Sequence, residues 1–264
     1  MTDYEAVILD VDGTLVRGAD LIPGVAETLE TLEQHGLSRL LFSNNPTRGA
    51  AYYRDKLATH GLEVDPETVL TSATVTAEYL ATTHPNDRVY LIGEDRLRMI
   101  LEDRDLRVVD EPTDADLVVG SIDRALTYDT LQNALDALER DVPFYGTDPD
   151  VTIPVDGGSI PGSGAILAAL EAIASRKPDA ILGKPSEVAA TAAMDRLETS
   201  PERTLVVGDR LDTDIELGRR AGMDTAVVGT GVTDTTALDP SNSRPTYVLD
   251  SLAALAAVLD LEDD

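Results

Sequence analysis

The sequence predicts an α/β protein, and three observations lead there. Short apolar runs rich in β-branched residues alternate with helical patterns along most of the chain. A self-contained block of the same kind, about a hundred residues long, interrupts that rhythm before it resumes. Two of the short runs, Ala6-Val7-Ile8-Leu9 and Thr204-Leu205-Val206-Val207, lead straight into Asp10 and Gly208-Asp209, as buried strands do when they carry carboxylates to a sheet edge.

The first run continues as Asp10-Val11-Asp12-Gly13-Thr14. On an extended backbone Asp10 and Asp12 leave the same face. Neighbouring anions repel and raise each other's pKa unless a cation lies between them. A hard divalent ion such as Mg²⁺, held by oxygen ligands, resolves that conflict. One carboxylate could then attack phosphorus while the other handles protons. Gly13 and Thr14 read as a turn, and Pro23-Gly24 precedes a helix with Val25, Leu29 and Leu32 on one face, ended by Gly36. Arg39 to Phe42 is the next strand, stopping at Ser43-Asn44-Asn45-Pro46. Pro46 suits the first helical position and Asn45 its cap, so Ser43 and Asn44 fall at a strand-to-helix junction. Backbone N–H groups there bind anions. On local grounds alone, helix-cap chemistry is the plainer reading of both residues.

Ser72 to Thr83 reads as a helix, and the inserted block follows. Its strands are expected at Val89 to Ile92, Leu117 to Val119 and Val142 to Tyr145, with a short one at Arg107 to Val109. Helices are expected at Asp95 to Glu102 and Thr127 to Glu139. Polar, proline-bearing stretches at Thr82 to Asp87 and Ser175 to Asp179 bound it. The chain therefore divides into a core segment over 1–80, an inserted α/β domain over 81–180 and a second core segment over 181–264. The loop Tyr145-Gly146-Thr147-Asp148-Pro149-Asp150 follows a strand, where recognition residues commonly lie, and Asp148 is its specificity candidate. Pro161-Gly162-Ser163-Gly164 is a helix start or hinge, lacking the spacing of a dinucleotide fingerprint.

The first rhythm then returns. Ala180 to Leu182 is a brief strand, followed by Gly183-Lys184-Pro185-Ser186 and a helix through Leu197. Lys184 lies at another strand-to-helix junction, where its ammonium could neutralise a phosphate oxygen. A solvated surface lysine is the plainer alternative. After Thr204 to Val207 comes Gly208-Asp209-Arg210-Leu211-Asp212-Thr213-Asp214. Asp212 is expected to cap the next helix, with Asp214 in its first turn. Asp214 could also serve as a supporting anion that orients Lys184. Strands at Asp224 to Val228 and Thr246 to Leu249 and a helix at Ser251 to Leu259 close the chain.

Composition narrows the partners. The 264 residues are 42% hydrophobic, ample for a core, but only 4% aromatic with no Trp. With no cysteine, neither a disulfide framework nor a thiolate site exists. No basic leader precedes an apolar run and no stretch reaches the roughly 20 apolar residues of a membrane span, so the expected place is the cytoplasm. A formal net charge of −28 argues against nucleic acid and anionic membranes as partners. Lysine is confined to Lys56, Lys177 and Lys184. Such a coat suits high salt, where self-repulsion is screened. His35, His60 and His84 have no ligand-like spacing. Oligomeric state is left open, a homodimer being one option.

Taken together, the Asp10 to Thr14, Ser43-Asn44-Asn45, Gly183 to Ser186 and Gly208 to Asp214 stretches resemble the four ordered motifs of the haloacid dehalogenase superfamily. The doubled asparagine, the Gly-Lys-Pro-Ser run, the Thr147 to Asp150 loop and the large block between the second and third motifs are similar to its NagD-like branch of p-nitrophenyl, sugar and nucleotide phosphatases. The resemblance covers nearly the whole chain. It implies a doubly wound parallel sheet with an inserted α/β cap, and hydrolysis of a small phosphorylated metabolite. Asp10 is then the nucleophile that becomes an aspartyl phosphate, and Asp12 the general acid and base. Mg²⁺ is held by the Asp10 and Asp209 carboxylates and the Asp12 main-chain carbonyl. Ser43, Asn44, Asn45 and Lys184 serve the phosphoryl group. Asp148 departs from the pattern, standing where relatives often have Asn. A phosphomutase, or a silent sugar-phosphate-binding module, is the alternative.

Overall fold

The computed structural model describes residues 4–155, 157–238 and 245–261. It divides into two compact units, one of residues 1–43, 50–70 and 189–264, the other of 44–49 and 71–188.

The first unit is built on a six-stranded sheet in the order Tyr247–Leu249, Asp224–Val228, Thr204–Gly208, Ala6–Leu9, Ser38–Ser43, Val69–Thr71. Ala6–Leu9 is fully buried and runs parallel to both neighbours, with Leu9 opposite Leu41 on one side and Val207 on the other. A strand buried on both faces needs an uninterrupted apolar run. Val7 and Leu9 face a core shared with Val25, Leu29 and Leu32 of helix Val25–Gln34 and with Tyr53 and Leu57 of helix Ala50–Ala58. On the opposite face Gly218 of helix Glu216–Ala221 packs so closely that a Cβ there would lie 3.1 Å from Val206 Cγ2. Helices on both faces make the sheet doubly wound. From Ala6–Leu9 the chain first builds outward through Ser38–Ser43, then returns to build the other side from Thr204–Gly208. In open α/β sheets such a switch point, at the carboxyl ends of the strands, is where ligands bind. Asp10 and Asp209 follow directly on those two strands.

The second unit has its own five-stranded parallel sheet, ordered Ala180–Ile181, Phe144–Gly146, Leu117–Gly120, Arg88–Ile92, Arg107–Val109. Its strand residues alternate between two cores. Val89, Leu117 and Val119 join Ala73, Ala77, Leu80, Leu97 and Leu101, while Tyr90, Ile92 and Val118 join Ala134, Leu138, Ile166 and Leu170. Helix Ser72–Thr83 thus belongs to this unit, whose edges fall outside the 81–180 block suggested by the sequence. An apolar helical pattern does not say which sheet it will cover. An exposed antiparallel hairpin, Thr152–Val155 with Gly158–Pro161, and a small one, Val16–Arg17 with Asp20–Leu21, carry no strong periodicity and are absent from the sequence reading.

Two junctions differ from expectation. No helix begins at Pro46: a turn at Pro46 and Thr47 lies in an otherwise irregular stretch over 44–49, and the helix starts at Ala50. The Asn45 Oδ1 atom accepts from the Thr47 N–H at 2.9 Å and the Thr47 hydroxyl at 3.0 Å, so the asparagine closes a local turn in place of capping a helix. Asp212 caps nothing either. Its carboxylate accepts two 3.2 Å hydrogen bonds from the Arg210 guanidinium, and Leu211–Ile215 forms a wide π-helical turn before Glu216–Ala221.

Candidate active site

At the switch point of the first unit, Asp10, Asp209 and Asp214 each present a carboxylate oxygen within 4.8 Å of the others. They are 8%, 1% and 1% exposed. Buried carboxylates grouped at this separation repel one another, and a cation between them would relieve that repulsion. The donor set is all oxygen, without histidine or cysteine, which suits a hard divalent cation and not a soft one. Asp214 enters this group because the π-helical turn brings it back under the strand end, where its Oδ2 accepts the Arg210 N–H at 3.1 Å.

The backbone is shaped around Asp209. Gly13 has φ +105°, and a Cβ there would lie 2.5 Å from Asp209 Oδ2, so both conformation and space require glycine. A Cβ on Gly231 would come within 1.8 Å of the same oxygen. From that loop Val232 N–H donates to Asp209 Oδ2 at 2.6 Å. The loop is in turn tied to the first motif, the Thr230 hydroxyl donating to the Gly13 carbonyl at 2.7 Å. Asp10 accepts from the Thr14 hydroxyl at 3.1 Å.

The Asp12 side chain does not join the carboxylate group. Its Oδ1 accepts from Lys56 Nζ at 3.2 Å, and its Oδ2 accepts from the Tyr53 hydroxyl at 3.0 Å and the Ser43 hydroxyl at 3.3 Å. Ser43, at the end of its strand, is therefore engaged with Asp12 and with Tyr53, 2.8 Å away.

In the second unit Asn44 and Lys184 meet through two reciprocal hydrogen bonds. Asn44 Nδ2 donates to the Lys184 carbonyl at 3.1 Å, and Lys184 N–H donates to Asn44 Oδ1 at 2.9 Å. The Asn44 side chain is thus spent on the backbone of the third motif. Lys184 is only 1% exposed, which overturns the surface-lysine alternative. Asp148 is buried at 2% exposure and turned onto its own loop, accepting from the Thr147 hydroxyl at 3.0 Å and the Asp150 N–H at 3.2 Å. Burial, reinforced by the nearby Asp150 charge, pushes its carboxyl well above the usual range, up to about 7.

Tyr53, Lys56 and the Thr230 to Val232 loop did not figure among the sequence candidates. The scarcity of lysine is the one sequence signal that could have drawn attention to Lys56.

A sheet switch point carrying a buried group of three carboxylates is a ligand-binding edge whose oxygens could hold a divalent cation. A family model described as haloacid dehalogenase-like hydrolase matches residues 7–107, and another described as HAD-hydrolase-like matches residues 181–255. An acid sugar phosphatase of Staphylococcus epidermidis is 34% identical over 260 residues, covering 98% of this chain and 100% of that one. The solved p-nitrophenyl phosphatase from Archaeoglobus fulgidus superposes with a TM-score of 0.91 at 33% identity, covering 97% of this chain and 99% of its own. NagD from Escherichia coli K-12 gives 0.86 at 31%, covering 96% and 98%. The chain belongs to the haloacid dehalogenase-like hydrolases, in their NagD-like branch. Among the described residues no helix is long and apolar enough to cross a membrane.

Proposed function

We propose that this HAD-type phosphatase hydrolyses a small phosphomonoester, such as a sugar phosphate or a nucleotide, through an aspartyl phosphate on Asp10 with Mg²⁺ as cofactor. The observation that carries the reading is the meeting of the Asp10, Asp209 and Asp214 carboxylates at the switch point, with Asp12 beside them but differently engaged. When bound there, Mg²⁺ supplies positive charge for the phosphoryl oxygens and lets the carboxylates stand together. The Asp10 and Asp209 carboxylates and the Asp12 main-chain carbonyl hold it, with Asp214 as support.

Two displacements follow. A carboxylate oxygen of Asp10 attacks phosphorus, the bond from phosphorus to the leaving oxygen breaks, and that oxygen takes its electron pair and a proton from the Asp12 carboxyl. Water then attacks the aspartyl phosphate and gives a proton to the Asp12 carboxylate. The acyl oxygen-to-phosphorus bond breaks and Asp10 is restored. Each step asks mainly for positioning and for positive charge near three phosphoryl oxygens. Ser43, the Asn44 backbone, Asn45 and Lys184 are the groups we assign to those oxygens. Support for Lys184 comes from its burial, and support for Asn44 from its double bond to the Lys184 backbone. We place the enzyme in the cytoplasm, acting on a free metabolite. A net charge of −28 favours that over nucleic acid or an anionic membrane.

The test is p-nitrophenyl phosphate hydrolysis in the presence of Mg²⁺, followed by rapid acid quench and peptide mass spectrometry. Asp10→Asn is expected to abolish turnover, as is chelation of the wild type, and the quenched enzyme to carry phosphate on Asp10. Substantial turnover in Asp10→Asn or in chelator discards the mechanism.

A further inference from the structure

The proton-handling carboxylate is held by two residues outside the four motifs. Tyr53 and Lys56 stand three positions apart on helix Ala50–Ala58, hence on one face. The helix cannot rotate, because Tyr53 and Leu57 are both fully buried in the core of the first unit. The tyrosine ring therefore rises from the core and brings its hydroxyl to Asp12 Oδ2, 3.0 Å away. Lys56 lies along that ring, its Nζ 6.0 Å from the centroid, and reaches Asp12 Oδ1 at 3.2 Å. The two carboxylate oxygens are thus gripped by different donors, which fixes both side-chain torsions of Asp12. The lysine side chain is 16% exposed and that of Asp12 52%, so the grip comes from the protein side and leaves the other side of the carboxylate open. A half-exposed ion pair of this kind adds little to stability. Its consequence is orientation.

We propose that Tyr53 and Lys56 are positioning residues that hold the Asp12 carboxyl group where it meets the leaving oxygen and then the hydrolytic water. The inference rests on the phosphatase reading above. It assigns a cost to loosening Asp12 that depends on the leaving group. A p-nitrophenolate departs readily as an anion and needs little help from an acid, whereas an unsubstituted phenolate needs more. The two esters share a ring and nearly a shape, so binding differences largely cancel in their comparison. The parameter to compare is kcat/KM, which covers binding and the first displacement and leaves out hydrolysis of the aspartyl phosphate.

The experiment measures kcat/KM for p-nitrophenyl phosphate and phenyl phosphate, with Mg²⁺, in the wild type, Tyr53→Phe and Lys56→Met. Tyr53→Phe keeps the buried ring, and Lys56→Met keeps the alkyl stem over it. Since positioned acid catalysis contributes about 10²–10⁴-fold, a partial loss of alignment is expected to lower the phenyl phosphate value by about tenfold or more. The p-nitrophenyl phosphate value should fall only a few-fold. Mg²⁺ affinity, read by titration calorimetry, should stay within about twofold, since the side chain of Asp12 is not among the grouped carboxylates. Equal losses on both esters, or no loss on either, overturn the proposal. So does a large fall in Mg²⁺ affinity, which would make the pair a support of the metal group. A wild type inert toward both esters removes the phosphatase reading itself and takes this inference with it.

Discussion

Replacing Asp148 by Asn should make the protein more stable at alkaline pH and leave it nearly unchanged at acid pH. Asp148 is 2% exposed, and its carboxyl is raised from 3.8 to about 7, first by burial and then by the charge of Asp150. The folded chain therefore keeps a proton that the unfolded chain releases above pH 4. Stability from this group is complete below that point and is lost as pH rises toward 7. A shift of about 3 units at about 1.4 kcal/mol each sets an upper bound of about 4 kcal/mol. Sharing of charge with Asp150 brings the realistic figure to about 2–3 kcal/mol. An asparagine amide reproduces the protonated acid. Its oxygen can still accept the Asp150 N–H, and its NH₂ can donate to the hydroxyl oxygen of Thr147, which also lies 2.9 Å from Ser121 Oγ. The assay is urea unfolding of wild type and variant from pH 5 to 8 at one fixed salt concentration. Taking the difference at each pH cancels the other titrating groups and the large net charge. That difference should grow in favour of the variant by about 1–2 kcal/mol between pH 5 and 8, the first part of the shift lying below that range. A flat difference, or one that grows in favour of the wild type, refutes the placement of a protonated carboxyl in this loop.

Other expectations follow from the first unit. Gly231→Ala puts a methyl where Asp209 Oδ2 stands, 1.8 Å away, and should weaken Mg²⁺ binding by about tenfold or more in calorimetry while the far-UV circular dichroism is retained. Asp12→Asn removes the group that takes the proton from the hydrolytic water, so p-nitrophenyl phosphate turnover should fall close to zero although its leaving group needs little acid; a variant running at the wild-type rate takes Asp12 out of acid-base work. With a net charge of −28 and three lysines in 264 residues, the thermal midpoint should rise steeply between low and molar salt. An unchanged midpoint removes the high-salt interpretation of the acidic surface.

Most of the fold was legible because its strands are buried on both faces. Val89 to Ile92 and Leu117 to Val119 read as apolar runs and form strands Arg88–Ile92 and Leu117–Gly120, and Asp95 to Glu102 is a helix with the bounds its pattern gives. The hairpin Thr152–Val155 with Gly158–Pro161 escaped because it is largely exposed and carries proline, so nothing in its sequence requires a buried face. Pro46 misled for a related reason. Proline fixes its own φ for a helix start and equally well for a turn, and the Asn45 side chain tipped the choice by bonding to Thr47.

The site divides along the same physical line. Asp10 and Asp209 could be read from sequence because a strand end is a local feature and parallel register does the rest: Leu9 lies opposite Val207, so the residues that follow emerge at one edge. For Asp214 and Asp212 the sequence offers only a supporting anion that could orient Lys184 and a helix cap, and it does not place Asp214 within a carboxylate group. Both are polar residues near a helix start, and an ordinary first turn favours Asp212 as the cap. Only the wider π-helical turn at Leu211–Ile215 carries Asp214 to the buried group and leaves Asp212 outside with Arg210. Tyr53 and Lys56 lie still further from local reasoning, 41 and 44 residues from the carboxylate they grip. Their position depends on how one helix seats against the core, through Tyr53 and Leu57. Motifs therefore report the groups that strand ends deliver, while the residues that aim those groups are set by packing and emerge only with coordinates.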